Sequence, residues 1–180
     1  MFAIIASLLS PILNVAPVLR VRRNHGLEHG TVHVLNRQRY TLSGISNSTG
    51  FLLIGDVPTE RVSKAVEEAL RRFDKGEQSL AVHPHCGTNL VTSGVLMTCI
   101  GALGFVGTTR RQAWERFSIV LFGMTLAAMY SLPLGMAIQK HFTTSGDMGD
   151  MELVHVGRHE LSLGSRKIVI HNVWTREGSF

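Results

Sequence analysis

The spacing of apolar positions divides the chain into regions that predict different elements. Phe2 to Leu19 is an uncharged apolar run interrupted by Pro11 and Pro17 and closed by Arg20, Arg22 and Arg23. Its length is close to the minimum for crossing a ~30 Å hydrocarbon core, so it either spans a bilayer or only dips into one. No positive segment precedes it, and no small-residue cleavage pattern ends it, so it is expected to be retained. Leu90 to Gly107 and Phe117 to Ile138 are two further uncharged runs. They are joined by a polar link carrying Arg110, Arg111, Arg116 and an interface-type Trp114, and they predict a transmembrane hairpin. Gly94, Gly101, Ala102 and Gly104 on one arm and Gly123, Ala127 and Ala128 on the other allow close helix approach. Pro133 predicts a kink in the second arm.

Between Asn36 and Val82 the pattern becomes that of a small soluble lobe. Tyr40 to Leu42 and Phe51 to Gly55 read as strands flanking a turn-rich Ser43 to Gly50. Val62, Ala65, Val66, Ala69, Leu70 and Phe73 recur at helical spacing, with Pro58 before them and Gly76 after. Ser79 to Val82 reads as a third strand. Beyond Met151, the runs Leu153 to Val156 and Lys167 to Val173 around Gly164-Ser165 predict a β-hairpin. The expected architecture is a membrane α+β protein: two or three transmembrane helices (hairpin 90–138), a small α+β lobe and a C-terminal β-hairpin. The corresponding regions are 1–35 (apolar segment plus histidine-rich helix), 36–89 (lobe ending in a His/Cys turn), 90–138 (hairpin) and 139–180 (β-rich tail).

Composition agrees with membrane residence. Only 17% of the residues are charged, against about 25% in soluble domains. The net charge of +5 could suit nucleic acid, but the arginines border apolar runs, where anionic lipid head groups are the better match. No basic patch is interleaved with stacking aromatics. Membrane lipids are therefore the expected partners, with a membrane-protein partner or a homo-oligomer also open, and nucleic acid is not expected. Cys86 and Cys99 are too few for a disulfide framework. Together with the Arg20–Arg23 cluster, they favour the cytoplasmic side of a bacterial-type membrane for the lobe.

Candidate chemistry centres on His25-Gly26-Leu27-Glu28-His29. This is H-x-x-E-H, the inverted-zincin arrangement. On a helix it stacks His25 and His29 on one face with Glu28 beside them. Glu28 is the candidate general base, acting on a water whose pKa a metal would lower to about 7. A second cluster, His83-Pro84-His85-Cys86-Gly87-Thr88-Asn89, precedes the hairpin. It supplies His83 and Cys86 as further candidate ligands, with Gly87 and Thr88 shaping the turn. His33 and His85 are alternates or partners that orient the ligands. Zinc or another divalent metal is the implied cofactor. Four protein ligands would close a structural site, whereas three plus water would leave a reactive one. A third reading has no metal and a pH-sensitive histidine cluster. His141, His155, His159 and His171 read as surface hydrogen-bonding residues, and Met97, Met124, Met129 and Met136 as packing.

The run His25 to His29, followed by His83-Pro84-His85-Cys86-Gly87-Thr88 at the mouth of an apolar hairpin and by Gln139 to Thr144 at its end, resembles the YqhQ-like bacterial membrane proteins of unknown function. The resemblance covers roughly Asn24 to Asp150 and leaves a sister family open. It implies a metal-dependent enzyme with motif positions His25, Glu28, His29, His83 and Cys86, and it names no substrate. Asn89 stands where a small hydroxyl residue is expected. The leading expectation is a membrane-embedded, zinc-dependent hydrolase of inverted-zincin type, acting at the bilayer surface on a lipidic or membrane-peptide substrate. The rival is a non-catalytic membrane subunit or assembly factor with a structural metal site.

Overall fold

A computed structural model describes residues 2–164 and 166–178. The chain folds as two compact units, one built from the residues up to Val82 and from Lys140 onward, the other from His83–Gln139.

In the first unit the apolar N-terminus is broken by its prolines. Helix α1 spans Phe2–Leu8 and α2 spans Ser10–Leu13; a long helix, α3, then runs over Ala16–Arg37. Pro11 and Pro17 occupy first-turn positions of α2 and α3, where their fixed φ suits a helix start and their missing N–H costs nothing. Pro17 cannot donate back to the Leu13 carbonyl. Arg22 Nη1 donates to that carbonyl instead, at 3.2 Å. Phe2 to Leu19 is thus not one spanning helix, which corrects the upper count of three.

Helix α3 ends in a Schellman turn: Arg39 adopts φ 69°, and Tyr40 N–H donates to the Leu35 carbonyl. That cap takes up the Tyr40 N–H, and the expected strand Tyr40–Leu42 is not formed. The first strand, β1, is Ser43–Asn47, paired antiparallel with β2, Gly50–Ile54, across the two-residue turn Ser48-Thr49. The Asn47 side chain accepts from Thr49 N–H and stabilises this turn. Helix α4, Thr59–Asp74, buries Val62, Ala65, Val66, Ala69 and Phe73 as its spacing predicts. Gly76, at φ 86°, closes it. Ser79 to Val82 is not a strand, since Gln78–Ala81 form a 3-10 turn.

The C-terminal hairpin is larger than its sequence signals, with β3 at Met151–Leu163 and β4 at Arg166–Glu177. Ser165 of the expected turn lies outside the described residues. The hairpin does not stand alone, because β4 pairs with β2 (Gly50↔Trp174, Leu53↔His171), giving one antiparallel sheet of order β1-β2-β4-β3. Leu27 and Leu35 of α3, Phe51 and Leu53 of β2, Val62 and Val66 of α4, and Val173 of β4 make the core. Each such side chain contributes about 1.5–3 kcal/mol on burial. His171 belongs to the interior, not the surface: it is fully buried on β4, because the alternation that buries Val169 and Val173 carries it inward too.

The second unit is the expected helical hairpin. Helix α5 spans Gly87–Phe105 and α6 spans Arg110–Ile138. The expected link is shorter than its polarity implied. Thr109 and Gln112 form a capping box that starts α6 inside the arginine-rich stretch. Pro133 lies within α6, which continues past it. A Cβ on Gly104 would overlap Val120, so glycine there lets the arms approach closely. Both helices are long and apolar enough to cross a membrane, and only 11% and 17% of their most apolar windows are buried.

Candidate metal centre

The two histidines of the H-x-x-E-H motif lie one turn apart on α3, ring centroids 4.5 Å apart and edge-on, as the i, i+4 spacing dictates. Each is oriented by a backbone carbonyl. His25 Nδ1–H donates to the Thr143 carbonyl at 3.0 Å, and His29 Nδ1–H donates to the Ala81 carbonyl at 2.7 Å. An imidazole that donates from Nδ1 carries, when neutral, its lone pair on Nε2. This is how metal-ligating histidines are held in one tautomer and ring orientation. His33 is held the opposite way round, Nε2–H donating to the Val82 carbonyl at 3.3 Å.

Glycines make this helix face approachable. A Cβ on Gly26 would overlap the Ser145 carbonyl, and one on Gly30 would meet the Phe73 ring of α4 at 2.7 Å. Ser145 N–H in turn donates to the Arg22 carbonyl, which anchors the segment that supplies the Thr143 carbonyl. Below the histidines, Asn24 donates to the Asn47 carbonyl at 2.8 Å and accepts from the Thr175 hydroxyl at 2.6 Å. These bonds tie α3 to both β1 and β4. Glu28 is 6% exposed, and its carboxylate lies against Gly44 of β1, where any Cβ would overlap it.

In the second unit, Cys86 is the N-cap of α5, its Sγ accepting from Thr88 N–H at 3.4 Å. Acceptance of an amide at a helix N-terminus favours negative charge on sulfur, the form in which cysteine ligates metal. His83 is engaged differently from His25 and His29, because its Nδ1 accepts from His85 N–H at 3.2 Å. A neutral ring held that way carries its proton on Nε2. His85 is exposed, its ring edge-on to His83 with centroids 5.6 Å apart.

The residues that fix this loop, Asn89 within the His83–Asn89 run and Gln139 at the end of the hairpin, were not among the expected site residues. Asn89, buried, donates from Nδ2 to the Pro84 carbonyl at 2.7 Å and to the His83 carbonyl at 3.3 Å. Gln139, fully buried, donates to Asn89 Oδ1 at 2.7 Å and accepts from His83 N–H at 2.9 Å. An amide side chain at position 89 can donate to two carbonyls and accept a third bond, whereas a small hydroxyl has only one proton to donate. Gly135 of α6 makes room for it, since a Cβ there would overlap Asn89 Oδ1. The available signal was one amide at each end of the apolar hairpin, Asn89 just before Leu90 and Gln139 just after Ile138.

The protein thus carries a His/Cys set, His25, His29 and Cys86, compatible with a metal site, and no metal is identified. Comparison with known proteins gives a family rather than an activity. An uncharacterised protein of Picosynechococcus sp. is 36% identical over 152 residues, covering 74% of this chain and 72% of its own length. No solved structure matches the chain. A family model described as a domain of unknown function, DUF6391, matches residues 20–156. It carries that description and not the YqhQ-like one, and its span includes His25, Glu28, His29, His83 and Cys86. The chain belongs to the DUF6391 family of unknown function.

Proposed function

We propose that the protein is a membrane-embedded, metal-dependent hydrolase in which His25, His29 and Cys86 hold one divalent ion, zinc being the best match to two imidazoles and a thiolate. The observation that carries this reading is the paired tautomer: two neighbouring imidazoles each donate Nδ1–H to a backbone carbonyl, so both would present Nε2 as ligand. Chain connectivity supports Cys86 as the third ligand. It follows Ala81, the anchor of His29, by five residues, a reach of at most about 18 Å. Three protein ligands leave a tetrahedral ion one position for water, the arrangement of catalytic rather than structural zinc. The ion would supply a water acidified to a pKa of about 7. Glu28, on the same helix and with its carboxylate against Gly44 of β1, is the general base in this reading. The apolar, mostly exposed surfaces of α5 and α6 support residence in a bilayer, the substrate being a lipidic ester or a membrane peptide. In the competing reading, His83 turns to become a fourth ligand and the site is structural.

Hydrolysis of a p-nitrophenyl ester of a fatty acid by the full chain in detergent micelles is the test. The expected result is chelator-sensitive turnover that Glu28→Gln reduces at least a hundredfold, with metal content at the wild-type level, as for loss of a general base. Turnover unchanged by Glu28→Gln contradicts the hydrolase reading.

A further inference from the structure

The hairpin unit contains a cavity that shares Cys86 with the metal reading and whose other lining residues that reading does not use. It has a volume of about 280 Å³ and is lined by, among others, Pro84, Cys86, Leu90 and Ser93 on one side and Ser131 and Leu132 of α6 on the other. Residues 86, 90 and 93 recur at helical spacing, so one face of the first arm forms its wall. The wall is preformed. Asn89 locks Pro84 through its carbonyl, and Ser93 and Ser131 are bonded to each other across the two helices at 2.5 Å. Ser131 O–H donates to the Ala128 carbonyl in its own helix, so in the pair Ser93 is the donor. A hydroxyl that donates still has two acceptor lone pairs, so Ser93 offers acceptor capacity to whatever enters.

The chemistry of the lining narrows the occupant. Among the described residues no Asp, Glu, Lys or Arg lines the cavity, whose other polar groups are His85 and Asn89, so a charged head group finds no permanent counter-charge there. Leu90 is 77% exposed and Leu132 47% exposed, which gives the cavity an apolar rim on helices that are otherwise suited to lipid contact. Its volume lies at the lower end of ligand pockets, enough for the head and first carbons of one chain and too small for a two-chain lipid. We propose that this cavity binds a neutral, single-chain amphiphile with a hydroxyl head group, of the long-chain alcohol class. The hydroxyl donates to Ser93, and the chain leaves between Leu90 and Leu132. This inference rests on the bilayer placement of the hairpin in the reading above and does not depend on the metal.

The test uses the full chain in phosphatidylcholine nanodiscs, a long-chain alcohol bearing a diazirine as photoprobe, and the matching carboxylic acid as competitor. Cross-links are expected to concentrate on residues 84–93 and 131–132. Ser131→Leu, which fills the cavity, should abolish them. Ser93→Ala should weaken labelling roughly three- to tenfold, as for loss of one neutral hydrogen bond, and it keeps the test decisive if the leucine variant does not fold. The acid should compete more weakly than unlabelled alcohol. Labelling spread evenly over both helices, labelling indifferent to Ser93→Ala, or an acid that competes as well as the alcohol overturns the proposal. Metal content measured on the same samples separates the outcomes: lost labelling with normal metal removes only the cavity ligand, and retained labelling without metal removes only the hydrolase.

Discussion

Helix α3 and the loop before α5 are both dense in histidine, yet their imidazoles are held in opposite ways. On α3, His25 and His29 give Nδ1–H to carbonyls of other segments, so that a neutral ring carries its lone pair on Nε2. In the loop, His83 Nδ1 accepts from the amide two residues on, and the loop is fixed instead by Asn89 and Gln139. A histidine's ability to serve as a ligand is thus set by the partner of its other nitrogen, which sequence spacing does not reveal. The two units differ in a second respect. Leu27, Leu35 and Phe51 of the first are buried, while Leu90, Leu103 and Ile119 of the second are exposed. Apolar residues build a core in one unit and a surface that suits lipid in the other.

The sharpest way to break the first contrast is by substitution of the ligands. His29→Ala is expected to lower the metal content of purified protein at least tenfold by elemental analysis, as removal of a ligand does, while His83→Ala keeps more than half. Equal losses in the two variants would erase the distinction between helix and loop. The second contrast is tested by Leu27→Ala, which should cost about 2–5 kcal/mol in chemical unfolding because it empties a fully buried site. Leu90→Ala, at an exposed site, should stay within about 0.5 kcal/mol. Comparable costs would mean that the hairpin hides its leucines. A smaller effect, about 1–3 kcal/mol, is expected for Asn89→Ala, which removes the bonds that Asn89 makes to the Pro84 carbonyl and to Gln139 Nε2. Faster hydrogen exchange over residues 84–88 would accompany it, and unchanged exchange would deny the loop its anchor.

The smallest effect concerns pH. Burial, and after it the charge of Arg158, holds the His171 imidazole below its ordinary value, against smaller pulls from the Val57 backbone and Asp56. Among the described residues neither ring nitrogen has a hydrogen-bond partner of good geometry. Above about pH 6.5 this residue is neutral folded and unfolded and contributes no pH dependence. Below it the unfolded chain takes up a proton that the fold resists, so stability falls as pH drops from about 6.5 toward the lower folded value. Thermal unfolding of His171→Phe between about pH 5 and 7.5 should show a shallower acid decline than wild type. Identical profiles would place the titrating group elsewhere.

Much of this was legible in the chain because it rests on local pattern. The buried stripe of α4 from Val62 to Phe73 and the placing of His25 and His29 on one helix face follow from periodicity, and the arms of the hairpin follow from their unbroken apolar runs. Strand β1 was not legible, because Ser43–Asn47 alternates between exposed and half-buried positions and is made a strand by pairing with β2. Nor was the single sheet, since Gly50 meets Trp174 across a separation that no local signal spans. The proline breaks near Pro11 and Pro17 were visible, but that Arg22 would satisfy the Leu13 carbonyl was not. At the site, the sequence offered ligand types and order. It could not offer tautomers, nor the buried pair Asn89 and Gln139, whose roles exist only once residues 50 positions apart are in contact.

The most direct test of the central claim is X-ray absorption spectroscopy at the metal edge of the purified, metal-loaded protein, compared with Cys86→Ser. The account predicts two imidazole nitrogens at about 2.0–2.1 Å, one sulfur at about 2.3 Å and one further light atom from water, with the sulfur shell absent in the variant. A spectrum without sulfur in the wild type, or a sulfur shell that survives Cys86→Ser, contradicts it.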